Sequence, residues 1–134
     1  MKFLLAGFLL AHALIHVSYL TPAPPKTAGG PEWPFELTRS WLVTGLQLDP
    51  AIARVLGVAL IAVTSTLLVA AGLATVGWLV PPSWWSGLVV SGAALSMLTL
   101  ALYFHPWLIL GVAIDGALLW AVLVGEWLPL GAGA

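Results

Sequence analysis

Residues 1–20, MKFLLAGFLLAHALIHVSYL, decide the fold of this chain. The run is apolar from Phe3 onward and free of proline, so it reads as a helix. His12, His16 and Tyr19 stand at i, i+4 and i+7, which places three polar groups on one helical face. A basic start followed by an apolar run is also the pattern of a secretory signal peptide. Two histidines are foreign to the core of such a segment, and the run is expected to span a membrane.

The rest of the composition agrees with that environment. Of 134 residues, 61% are hydrophobic and only 7% are charged, whereas soluble domains carry about 25% charged residues. Mean hydropathy is +1.08, the value of a chain with too little polar surface to face water. A net charge of −1 supplies no basic patch to neutralise phosphates and argues against a nucleic-acid partner. The absence of cysteine removes disulfides, thiolate-bound zinc and iron–sulfur clusters from consideration. One domain is the expectation at this length.

Four apolar segments are expected as spans, at about residues 3–20, 51–78, 84–104 and 107–127. Each is long enough at 1.5 Å per residue to match a hydrocarbon core of about 30 Å. Asp49-Pro50 and His105-Pro106 are start signals, with a capping side chain before a proline at the first helical position. Residues 21–50 form the one long connection, broken at its start by Pro22, Pro24, Pro25, Gly29, Gly30, Pro31 and Pro34. Phe35, Leu37, Trp41 and Leu42, mixed with Glu36 and Arg39, predict a short helix at its end. That helix either lies in the membrane interface or caps the end of the bundle.

Trp78, Trp84, Trp85 and Trp127 are expected at one interface, Trp41 and Trp107 at the other. Ala62, Thr66, Ala70 and Ala74 form a small-xxx-small row that would admit a neighbouring helix. The fold class is therefore all-α, an antiparallel four-helix transmembrane bundle in a cell membrane, with a long first loop carrying the short helix. Lys26, Arg39 and Arg54 around that loop, against Lys2 on the opposite side, favour the loop as cytoplasmic.

Asp115 falls mid-helix, about 15 Å along from His105. A carboxylate at that depth costs several kcal/mol unless it is paired or neutral, and His12 is the expected partner. Ser96 and Thr99 share a face of the third span with Gly92 and Tyr103. His12, His16, Tyr19, Ser96, Thr99 and Asp115 are thus the candidate polar site, whose simplest role is to fix helix packing. Glu126 is expected on nearly the same face as Asp115 but at the membrane edge, as a solvated end residue.

Several chemistries fit those residues. His12 and His16 at i, i+4, with Asp115, suit a metal, and no HExxH motif accompanies them. Haem needs opposed axial ligands, for which His16 and His105 are the sensible pair. A quinone needs a hydrogen-bond donor at each carbonyl inside an apolar pocket. A proton-linked transporter on the same groups would require self-association to form a path. No nucleophile elbow and no phosphate-binding glycine loop is present. The leading expectation is a non-catalytic subunit that packs on other membrane subunits or on itself and holds a lipophilic ligand.

ARVLGVAL at residues 53–60, AAGLA at 70–74, and a long first loop followed by three close-spaced helices resemble the DoxX-like family of small four-helix membrane proteins. That resemblance implies a membrane-subunit role, which in some members is the membrane part of a quinone-linked sulfur oxidoreductase. The histidines of residues 1–20 have no counterpart in the family pattern, so the resemblance assigns no site residue.

Overall fold

The computed structural model describes residues 1–25, 28–29 and 33–125. Among them the helices are α1 (Lys2–Ser18), α2 (Trp41–Thr44), α3 (Pro50–Val76), α4 (Trp85–Leu102) and α5 (Ile109–Leu123), with no strand. Pro82–Trp84 and Pro106–Leu108 are single 3₁₀ turns that lead into α4 and α5. Counted with those turns, three helices are long and apolar enough to cross a membrane: Pro50–Val76, Pro82–Leu102 and Pro106–Leu123. At 17 residues α1 is equally apolar but shorter, about 25 Å by its rise.

Local chemistry accounts for the helix ends. The Asp49 carboxylate accepts from the backbone N–H of Ala51 at 2.8 Å and of Ile52 at 3.2 Å, two donors that the first turn leaves unpaired. At its other end α3 stops at Gly77, whose φ of 73° is left-handed, a conformation that glycine adopts without a Cβ penalty. His105 caps the start of the next helix through Nδ1, which accepts from the Trp107 N–H at 3.3 Å.

Neighbouring long helices pack in chain order, α1 on α3, α3 on α4 and α4 on α5. Leu9, Ala13, Leu68, Ala71, Trp85, Val89 and Leu118 make one apolar cluster. Tyr19, Ile61, Leu100 and Leu108 make a second, beside the long connection. Small residues set the approach: a Cβ on Gly72 would lie 3.2 Å from Leu10, and one on Gly92 would lie 3.0 Å from Leu68.

Three expectations need correction. The row Ala62, Thr66, Ala70 and Ala74 is not the packing face of α3, because Ala62 and Thr66 are exposed. The Thr66 hydroxyl bonds back to the Ala62 carbonyl at 2.8 Å. The buried face runs instead through Ile61, Thr64, Ser65, Leu68, Ala71 and Gly72, which offers both bulk and close approach. Trp85 does not sit at the surface with Trp78 and Trp84. It is 1% exposed, whereas they are 63% and 62%, because it starts α4 pointing into the apolar cluster.

The helix expected near residues 35–46 is also broken in two, a 3₁₀ turn at Leu37–Arg39 and then α2. Ser40 between them has an extended backbone (ψ 159°), and its carbonyl accepts from Val43 and Thr44. The pair caps the bundle: Leu42 is buried, Leu37 packs against Gly57, and the Trp41 indole donates to the Ala101 carbonyl at 2.8 Å. Lys26, Gly30, Pro31, Glu126 and Trp127 lie outside the described residues.

Candidate functional site

A buried polar layer joins α1, α4 and α5. His12 and His16 lie one turn apart on the inner face of α1, where Ala6, Leu9 and Ala13 are also buried. Asp115 enters from α5 with no exposed surface, and Ser96 enters from α4. His12 Nε2 and Asp115 Oδ1 are 2.9 Å apart, so the pairing expected from membrane depth is present. The Ser96 hydroxyl donates to the other carboxylate oxygen, Oδ2.

That last bond fixes the next one. Ser96 Oγ also lies 2.8 Å from His16 Nε2. A hydroxyl has one proton, which here goes to Asp115, so Ser96 must accept from His16 Nε2–H. The neutral His16 ring then presents a bare lone pair at Nδ1. This buried atom has no hydrogen-bond partner among the described residues. Asp115 is thus held from two sides, and the four groups form one chain, His12–Asp115–Ser96–His16.

Aromatic packing extends the chain at both ends. Phe8 stacks on His12 with centroids 6.2 Å apart. Tyr19 meets His16 edge-on at 5.1 Å and stacks on Phe35 at 4.1 Å. Tyr19 therefore touches the polar layer on one side and the long connection on the other.

Beside Tyr19 opens a cavity of about 450 Å³, lined by Phe35, Glu36, Thr38, Arg54 and Val58 among others. Thr38 donates to the Glu36 carboxylate at 2.8 Å. Arg54 makes no ion pair with a described residue. This mouth was not foreseen from the sequence as a site. A signal existed, since a lone arginine four residues into an apolar span marks either an interface anchor or a ligand for something anionic or carbonyl-bearing.

Not every candidate joins the layer. The Thr99 hydroxyl donates to the Leu95 carbonyl of its own helix at 2.8 Å, the local satisfaction typical of helical threonine. Tyr103 reaches away from the layer and donates to the Ala53 carbonyl, tying the end of α4 to the start of α3. His105 is occupied as a cap and packs against Trp107, apart from the other two histidines. Ser65, a central hydroxyl of α3, bonds across to the Ala13 carbonyl of α1 at 3.3 Å.

Chemically the layer holds three potential metal donors. One atom each of His12, His16 and Asp115 lies within 4.8 Å of the other two. No known protein family, curated protein or solved structure matches the chain.

Proposed function

We propose that the protein is a non-catalytic membrane subunit, a bundle of four antiparallel spans, that binds a lipophilic ligand of the quinone class at the mouth beside Tyr19. The observation that carries this reading is the cavity itself, whose lining brings donor-bearing residues from two parts of the chain together with apolar ones. A quinone head group presents two carbonyl acceptors across a flat ring. Tyr19, just past the end of α1, and Arg54 of α3 offer a hydroxyl and a guanidinium as donors, and Phe35, Leu37 and Val58 supply apolar and aromatic wall. The site thus takes Tyr19 from the candidate residues and lies one turn beyond His16, since an organic head group finds no free donor among His12, Asp115, Ser96 and His16, which hydrogen-bond to one another.

Four spans follow from placing α1 beside the three longer helices, with Met1 and Lys2 reaching the head-group region to make up its shorter length. The subunit role rests on the outer face of α3, where Ala62 and Thr66 present small side chains outward that no other described helix covers. The DoxX-like resemblance points the same way, and the proposed location of the subunit is the cell membrane.

Titration of the detergent-solubilised protein with a short-chain quinone tests the reading through quenching of tryptophan fluorescence. Saturable quenching is expected. Tyr19→Phe and Arg54→Gln should each weaken it about tenfold, the equivalent of about 1.4 kcal/mol for one lost hydrogen bond. Quenching that rises linearly and identically in all three proteins is partition into the micelle and contradicts the site. For the subunit role, a protein that runs in mild detergent without a partner and is active alone counts against it.

A further inference from the structure

The polar layer has a feature that a packing lock does not need. Both imidazoles present the same atom, Nε2, toward one carboxylate, His12 directly and His16 through the Ser96 hydroxyl. Histidines at i, i+4 share a face, and here that face is turned inward on a group that is acidic and fully buried. We propose that His12, His16 and Asp115 form a binding site for a divalent transition-metal ion within the helix layer, with the Ser96 oxygen beside it.

The donor set has the right chemistry and nearly the right spacing. Two ligands bound at about 2.0–2.2 Å on one ion lie about 3–4.3 Å apart. The three donor atoms lie within 4.8 Å of one another, and tetrahedral ligands lie about 3.4 Å apart, so closing on an ion draws the widest pair together by about 1.4 Å. Two imidazoles with one carboxylate suit zinc, iron(II), manganese or cobalt, and leave coordination positions open. Calcium and magnesium prefer all-oxygen shells and are disfavoured here.

Binding also answers the charge problem at this depth. A buried carboxylate needs a positive partner, and a divalent ion supplies one without charging a ring; the net charge of +1 that remains is cancelled by a hydroxide in an open coordination position. Coordination uses the Nε2 lone pair of each ring, so the protons that His12 directs at Asp115 and His16 gives Ser96 both move to Nδ1, which in His16 is the atom without a partner among the described residues. His105, already spent as a helix cap, stays outside the set. This site is separate from the cavity beside Tyr19 and does not depend on quinone binding.

Purified full-length protein in mild detergent, stripped of metal and titrated with cobalt(II), provides the test. Visible d–d absorption bands that saturate at about one ion per chain are expected. They should be lost in His16→Ala and weakened at least tenfold in Asp115→Asn, and should persist unchanged in His105→Ala. Metal analysis of the unstripped protein should show a matching transition metal. If the variants fail to fold, the wild-type titration still decides. A helical wild-type protein with no d–d bands at saturating cobalt overturns the site, as does equal loss of the bands in His105→Ala.

Discussion

Two layers of the same bundle are held together in opposite ways. Around Trp85, helices α1, α3, α4 and α5 meet through Leu9, Leu68, Val89 and Leu118, with no charge among them. Toward the long connection, α1, α4 and α5 meet through a carboxylate, a hydroxyl and two imidazoles. In a membrane the apolar contact gains little over lipid except close packing, so the Trp85 layer depends on fit. The polar layer depends on completeness, because each member would be orphaned in a medium that offers no water. The first layer tolerates change in proportion to volume, whereas the second fails as a unit.

The contrast predicts a ranking of substitutions, measured as unfolding free energies in detergent micelles. Asp115→Ala should cost most, about 3–5 kcal/mol, since it strands His12 and Ser96 together. Leu68→Ala, which opens a cavity among fully buried neighbours, should cost about 2–4 kcal/mol. Ser96→Ala comes next at about 1–3 kcal/mol, the penalty for leaving His16 Nε2 and one carboxylate oxygen without their link. Thr99→Val should cost least, under about 0.5 kcal/mol, because its hydroxyl serves only its own helix. If Ser96→Ala and Thr99→Val cost the same, α4 contributes a general polar face and the layer is not a chain. A cost for Leu68→Ala above that of Asp115→Ala would reverse the comparison.

The ranking also shows what the sequence could carry. His12 and Asp115 were legible as a pair because both can be placed by helical rise, and a carboxylate at mid-depth has few affordable states. Ser96 and Thr99 were legible only as a face. Spacing puts both on one side of α4, but one hydroxyl crosses to α5 and the other folds back, a choice made by the neighbour's position. The packing face of α3 was misread for a related reason. Small residues permit close approach but do not attract it, and Ser65, Leu68 and Gly72 offered α1 and α4 a better-filled surface.

The start signals at Asp49 and His105 were read correctly because a cap is local chemistry. Trp85 was misplaced because a one-residue step along a helix turns a side chain by about 100°. Trp84 thus faces outward while its neighbour faces the core. The cavity beside Tyr19 is invisible in the sequence, since it is built by residues just past α1, from the long connection and from α3 whose meeting no spacing records.

The central claim is that α1 and α5 are joined through His12 and Asp115 as one energetic unit. A double-mutant cycle on His12→Ala and Asp115→Ala, read by unfolding in the same micelles, tests it most directly. The account predicts that the double variant is little worse than Asp115→Ala alone, with a coupling energy above about 1 kcal/mol. Penalties that add to within about 0.3–0.5 kcal/mol would contradict it.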